Sequence, residues 1–262
     1  MGLYLYCIRK KTNSKFSVKG IDGGKILVLP YQDLEAVVSW VSLEKFGSVE
    51  IQKKAQEDLK WIKEKAQLHE KVVEQAMKKG DKILSVIPMK FGTIFKTKEK
   101  LKETLEKYYS KFQRTLENLA EKQEWAIKVY LNRKIFEKEI KKISPTVQEK
   151  EKEIASMPEG MAYFMQKQID DVVSKEAGGV LENYIENIFE NLKKHAAAGT
   201  KGKILEKEVT NKPLPMVLNA IFLVPEDKLE NFKNEIDKLN QKYKSMGFNF
   251  EYSGPWPPYN FI

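Results

Sequence analysis

Cysteine is nearly absent from this chain. Cys7 is its one occurrence in 262 residues, which excludes an internal disulfide and a four-cysteine metal site. Histidine is nearly as scarce, with only His69 and His195. Arginine is confined to Arg9, Arg114 and Arg133, so the basic residues are overwhelmingly lysine. Proteins that read nucleic-acid bases lean on the arginine fork. Here lysine alternates with glutamate, as in Lys98-Glu-Lys-Leu-Lys-Glu103, which reads as a solvated helix face. No apolar run approaches the roughly 20 residues of a membrane helix. The first residues put apolar groups ahead of lysines, the wrong order for a secretion signal. Met1-Gly-Leu-Tyr-Leu-Tyr6 also lacks the hydroxyl residue of a myristoylation site. These absences imply a soluble protein of a reducing cytoplasm, with no membrane and no nucleic acid among its partners.

Chemical motifs are equally sparse. Gly20-Ile-Asp-Gly-Gly24 is neither a P-loop nor a dinucleotide fingerprint, and no nucleophile elbow occurs. No cofactor is expected. Cys7 falls inside a predicted strand, the setting of a small buried apolar residue rather than a reactive thiolate. His69 lies in the apolar stripe of a predicted helix beside Glu70. A helical metal pair wants a second ligand four residues on, and that residue is Val73. His69 is therefore read as a packed histidine, hydrogen-bonded through one ring nitrogen. His195 sits at a polar helix end and is assigned no catalytic role. Lys90-Phe91-Gly92-Thr93-Ile94-Phe95 has the aromatic, lysine and glycine content of an RNA-binding strand, but lacks the rest of that motif.

What is present is enough for real cores: 42% of residues are hydrophobic, beside 32% charged and a net charge of +9. The charge suits solubility or an acidic partner. Leu3, Leu5 and Cys7 alternate with Tyr4, Tyr6 and Ile8, which predicts a central strand apolar on both faces. Ile26 to Leu29, ended by Pro30, and Leu34 to Val41 are two more strands. A single apolar stripe from Ala55 to Ala76 predicts a helix capped by Gly80. Ile83 to Ile87 returns to strand. Thr97 caps a helix whose stripe runs from Leu101 to Leu119. The order βββαβα predicts an α+β domain over residues 1–121, with its helices on one face of the sheet.

Trp125, Ile127, Val129 and Leu131 open a second domain, residues 122–252. Lys134 to Ser156, broken by Pro145, is expected to be a helical insertion or a mobile connector. Met161, Met165, Ile169, Val172, Leu181, Tyr184, Ile188 and Leu192 form one long stripe, which Gly178-Gly179 is expected to kink. Ile204 to Val209 reads as an edge strand, Val217 to Val224 as a buried one. A helix from Leu229 to Tyr243, capped by Gly247, and a strand at Phe248, Phe250 and Tyr252 complete a βαββαβ order, ferredoxin-like with a long first helix.

The last ten residues, Ser253-Gly-Pro-Trp-Pro-Pro-Tyr-Asn-Phe-Ile262, carry no charged side chain. Their prolines restrict the backbone, and Trp256, Tyr259 and Phe261 hold enough apolar area to make exposure costly. They are expected to form an ordered, extended strap that folds back across the domain boundary, with Trp256, Pro257 and Pro258 packed near Gly92.

The Gly-Pro-Trp-Pro-Pro-Tyr ending resembles that of the GvpL/GvpF family of gas vesicle accessory proteins. So do Tyr4-Leu-Tyr6 with Gly20-Ile-Asp-Gly23, Leu68-His-Glu-Lys-Val-Val73, Ile87-Pro-Met-Lys-Phe-Gly-Thr-Ile-Phe95 and Val217 to Val224. The resemblance spans the chain. It implies a non-enzymatic accessory or minor structural protein, located at the gas vesicle or in the cytoplasm. Its implied partners are the small apolar shell protein and other gas vesicle proteins. Candidate contacts, with a partner or between domains, are Phe91, Gly92, Thr93, Leu205, Trp256, Pro257, Pro258 and Tyr259. The alternative is a lysine-rich nucleic-acid-binding regulator that uses the ferredoxin-like half.

Overall fold

A computed structural model describes the backbone of residues 1–262 and all side chains except those of 159, 160 and 162–171. The chain divides into two compact units, residues 1–124 with 255–262, and residues 125–254. The last eight residues thus cluster with the first unit, although most of the strand Phe248–Trp256 that carries the chain into them belongs to the second.

The first unit opens with β1 (Gly2–Lys10), β2 (Ile26–Tyr31) and β3 (Leu34–Val41). The short helix α1 (Leu43–Phe46) follows, then α2 (Ser48–Glu57) and α3 (Leu59–Ala76). The predicted Ala55–Ala76 stripe is broken at Asp58, whose carboxylate accepts the Trp61 amide at 3.0 Å and starts a new helix. Gly80 is not the cap of α3, which ends at Met77. With φ +60° it turns the hairpin between β4 (Lys78–Lys79) and β5 (Lys82–Ile83). β6 (Val86–Pro88) and β7 (Ile94–Phe95) then lie antiparallel to β1. Thr97 caps α4 (Lys98–Lys107) through the Lys100 amide, and α5 (Tyr109–Leu119) follows.

The sheet order is β2-β3-β1-β6, with β7 also on β1. Helices cover both of its faces, not one. Tyr4, Tyr6, Val37 and Val41 share a core with Val72, Val73 and Ala76 of α3. Leu3, Leu5, Ala36 and Val38 share another with Leu101, Leu105 and Leu116 of α4 and α5. Alternation along β1 also fails at one point. The β1–β3 register shifts between Leu5 and Cys7, a bulge at Tyr6. Cys7 therefore joins the tyrosines on the α3 face, and Ile8 joins the leucines. Burial pushes the Cys7 thiol up to about 12, against the pull of nearby Arg9, which leaves it an unreactive packing residue.

The second unit contains most of β8 (Lys122–Leu131), then α6 (Arg133–Ile143), α7 (Pro145–Ala155) and α8 (Glu159–Lys193). Pro145 does not loosen this stretch. It occupies the first turn of α7, where its missing N–H costs nothing, and Ser144 caps the same helix through the Val147 amide. The 35 residues of α8 form one helix through Gly178-Gly179, roughly 50 Å long at 1.5 Å per residue. Ile188 and Leu192 sit in the main core and Val173 in a satellite one with Val147 and Ile154. Met161, expected in the same stripe, is exposed. Met165 and Ile169 lie outside the described residues.

β9 (Ala198–Lys201), the one-turn helix α9 (Lys207–Thr210), β10 (Met216–Pro225), α10 (Leu229–Lys244) and β11 (Phe248–Trp256) complete the unit. Its sheet runs β11-β8-β10-β9. The edge is therefore Ala198–Lys201, and the expected strand at Ile204–Val209 is loop and α9. Glycine explains the difference. A Cβ on Gly199 would lie 2.8 Å from the Phe222 ring, so only glycine lets this edge approach β10. The Asn219 amide then captures the Lys203 carbonyl at 2.8 Å as the chain leaves the edge. Gly199→Ala is expected to destabilise the protein by about 1–3 kcal/mol, the usual cost of overpacking, read as a lower urea midpoint with an unchanged slope.

Candidate functional site

The motifs singled out in the sequence meet at His69, on the α3 face of the first sheet. The ring is buried, 3% exposed. Its Nδ1 lies 2.9 Å from the Tyr4 hydroxyl and its Nε2 3.0 Å from that of Tyr259. The Gly92 amide donates to the Tyr4 oxygen at 3.0 Å, and Tyr259 donates to Glu70 Oε2 at 3.1 Å. One set of directions satisfies every partner: Gly92 N–H to Tyr4 O–H to His69 Nδ1, then His69 Nε2–H to Tyr259 O–H to the Glu70 carboxylate. This requires a neutral imidazole carrying its proton on Nε2. Burial holds it neutral, lowering His69 to about 4 against the pull of the Met89 backbone. Burial likewise raises Tyr4 and Tyr259 above the usual phenol range, and raises Glu70.

Aromatic rings close the site. Tyr4, Tyr6 and Phe91 surround the imidazole at centroid distances of 5.6, 5.6 and 6.2 Å. Tyr6 is fixed in turn by Ser39 Oγ at 2.8 Å and by the Ile21 amide at 2.7 Å. That contact accounts for Gly20-Ile21 in the sequence, since a Cβ on Gly20 would stand 2.5 Å from Ser39 Oγ. Gly92 has φ +84°, and a Cβ there would meet only Ile51 Cδ1, at 3.2 Å. Its backbone conformation, rather than a packed strap, is what calls for glycine. Thr93 ties the loop down, its hydroxyl donating to the Lys90 carbonyl at 2.7 Å and its own carbonyl accepting the Leu5 amide at 2.9 Å.

The tail supplies the last wall. It stays extended to Trp256, then turns where the Tyr259 amide reaches the Pro257 carbonyl at 2.7 Å, a tight turn centred on Pro258 that its ring favours. Pro257 and Pro258 are buried, while Trp256 and Tyr259 keep 39% and 36% of their surface exposed. Asn260 clamps Glu124 from its amide at 3.1 Å and from Nδ2 at 2.7 Å. Burial still raises Glu124 to about 6.

Of the sequence candidates, Phe91 and Tyr259 lie against the His69 ring, Gly92 reaches it through Tyr4, and Thr93 only ties down the loop that carries Gly92. Leu205 belongs to the other unit and lies on no strand. His69 uses both ring nitrogens, not the one expected, so neither its lone pair nor its N–H is open to a substrate. The clamp between Glu124 and Asn260 has no counterpart among the sequence expectations. Its signal is a carboxylate adjoining Trp125 near the start of β8. Among the described residues, no cluster of histidine, cysteine and carboxylates is arranged to hold a metal, and no helix is long and apolar enough to cross a membrane.

Comparison with known proteins identifies the family. The family model described as gas vesicle synthesis protein GvpL/GvpF matches residues 2–262. Gas vesicle protein L of a Streptomyces species is 23% identical over 98% of this chain and 91% of its own. Gas vesicle protein F1 of Halobacterium salinarum is 22% identical over 99% and 92%. Among solved structures, the crystal structure of GvpF from Anabaena shares the fold with a TM-score of 0.75 at 20% identity, covering 99% of this chain and 97% of that one. GvpF from Microcystis aeruginosa gives 0.68 at 18%, over 99% and 98%. Matched from its first strand to its last residue, the chain belongs to the GvpL/GvpF family of gas vesicle synthesis proteins.

Proposed function

We propose that this protein acts in gas vesicle formation, without catalysis, by holding the small apolar shell subunit and keeping it from aggregating before it enters the wall. The family match along the whole chain carries the reading. Its partners are then the shell protein and other gas vesicle proteins, and its place is the cytoplasm and the vesicle. The second unit is read as a ferredoxin-like sheet enlarged by α6 and α7, in keeping with its strand order.

The geometry that favours this role is the outer edge of the first sheet. β2 pairs with β3 on one side and ends the sheet on the other. Its sequence, Ile-Leu-Val-Leu-Pro-Tyr, carries no charge. The two-residue turn makes Tyr31 and Leu34 the closing hydrogen-bonded pair. The ladder bonds then fall at Leu29 and Leu27, leaving Val28 and Pro30 directed outward. An apolar strand can add there by main-chain pairing, while the lysine-rich helices keep the complex in solution. This edge takes the place of Ile204–Val209.

The test is co-expression with the shell protein. Tagged wild-type protein is expected to retain it in soluble form at high salt. Val28→Pro removes an outward N–H without touching the β2–β3 ladder, and is expected to lose the shell protein with an unchanged circular dichroism spectrum. Aggregation of the shell protein beside the wild type would overturn the proposal. Retention by Val28→Pro would move the contact off β2.

A further inference from the structure

The tail is anchored on the first unit by its own side chains. The chain leaves that unit after residue 124 and rejoins it at residue 255. Tyr259 then meets His69 Nε2 at 3.0 Å and Glu70 Oε2 at 3.1 Å, and Asn260 takes both oxygens of Glu124, at 3.1 and 2.7 Å. The receiving groups His69 and Glu124 are 3% and 4% exposed. Pro257 and Pro258 are buried beside these anchors.

The receiving groups are selective. A neutral imidazole N–H next to a carboxylate suits a hydroxyl, which accepts from one and donates to the other. A carboxylate held by one residue through both its backbone amide and its side-chain amide reads an asparagine at that position. The tail, for its part, sets its own shape. The Tyr259 amide donates to the Pro257 carbonyl at 2.7 Å and the Phe261 amide to that of Pro258 at 3.3 Å. A turn built within the segment and stiffened by proline loses little freedom on docking. No residue between 125 and 254 takes part in these anchors, so they are the same whichever copy supplies the tail.

We propose that His69, Glu70 and Glu124 form a receptor for a Pro-Pro-Tyr-Asn segment, and that a second copy of this chain fills it, two chains exchanging their last residues. Each chain then gives one tail and receives one, a contact that closes at two copies. The bonds broken and made are identical, so concentration decides the exchange. A tail on its own chain competes at an effective concentration on the order of millimolar. Wild type is therefore expected to be monomeric when dilute and to pair where copies are crowded.

The experiment uses two full-length variants, each lacking one half of the contact. Y259F/N260A keeps the receptor and loses the anchors of the tail, whereas E70Q/E124A keeps the tail and loses the receptor. Light scattering after size exclusion is expected to show monomers for each alone and a one-to-one pair when they are mixed. A fluorescent peptide of residues 253–262 gives the second readout. It is expected to bind Y259F/N260A about tenfold or more tightly than E70Q/E124A does, the usual worth of a hydrogen bond to a charged group. The same peptide carrying the Y259F and N260A changes is expected to bind Y259F/N260A as weakly, a comparison that does not depend on how E70Q/E124A folds. Peptide binding without pairing of the chains, or equal pairing by either variant alone, would overturn the exchange. Equal affinity of the two peptides for Y259F/N260A would overturn the receptor.

Discussion

Replacing His69 by alanine is expected to lower the unfolding free energy by about 3–5 kcal/mol. Truncating a buried ring leaves a cavity, and the two hydroxyls that met its nitrogens, Tyr4 and Tyr259, lose their partner at about 1–3 kcal/mol for each one left unsatisfied. His69→Phe separates the two terms. It keeps the volume but not the hydrogen bonds, and is expected to cost about half as much. Urea unfolding of the three proteins decides it, and equal midpoints for His69→Phe and wild type would show that the hydrogen-bond chain contributes nothing.

The same residue governs the acid response. His69 falls from an ordinary 6.5 to about 4 in the folded state. As pH drops, the unfolded chain takes up this proton first. The stability from a neutral His69 is therefore complete above pH 6.5 and is lost progressively toward pH 4, by about 3 kcal/mol. Glu124 works the other way. Its rise from 4.5 to about 6 makes the folded state bind its proton first, so acidification between those values stabilises by about 2 kcal/mol. Glu70, also raised, adds to that side. Wild type should thus show a shallow slope from pH 6.5 to 4.5. His69→Gln, lacking the opposing group, should gain stability on acidification over the same range. Parallel slopes for the two proteins would refute the assignment.

The second large effect is expected at Glu35. It pairs with Arg9 at 2.8 Å, the two side chains being 5% and 1% exposed. Glu35→Ala leaves the guanidinium buried and without its counter-charge, which is expected to cost about 3–5 kcal/mol. The double variant R9M/E35L removes both charges and fills the space with apolar atoms. It is expected to recover most of the loss, because burying an ion pair gains little over good packing. If the double variant is no more stable than Glu35→Ala, the pair is a net source of stability over apolar packing instead.

The structure explains why some elements could be read directly from the sequence. β3 starts at Leu34 and ends at Val41, as expected, because a strand buried on both faces carries apolar residues at consecutive positions, here Ala36-Val-Val38 and Trp40-Val41. The Thr97 cap and the α10 stripe of Phe232, Ile236, Leu239 and Tyr243 are local signals. His69 stands out as a rare polar residue in an apolar stripe, and the tail as aromatic and uncharged. Other features depend on contacts distant in sequence. The bulge at Tyr6 turns Cys7 toward α3, and no local pattern encodes a register shift against β3. The edge at Ala198–Lys201 escapes sequence reading because Ala-Gly-Thr-Lys has little hydrophobic signal, its place being set by the Phe222 ring opposite Gly199.

The sequence by itself determined the α+β character, the strand and helix sites with strong periodicity, and the set of residues whose spacing carries the family. Side-chain period and turn chemistry are local properties of the chain, and they survive in any packing. Only the tertiary structure decided what those residues are for. Tyr4, His69, Gly92 and Tyr259 are up to 255 positions apart, and a hydrogen bond between such residues forms only after the sheet, α3 and the tail have been brought together. The neutrality of His69 and the burial of Arg9 against Glu35 arise at the same stage, because desolvation is a property of the packed interior and has no counterpart in the order of the residues.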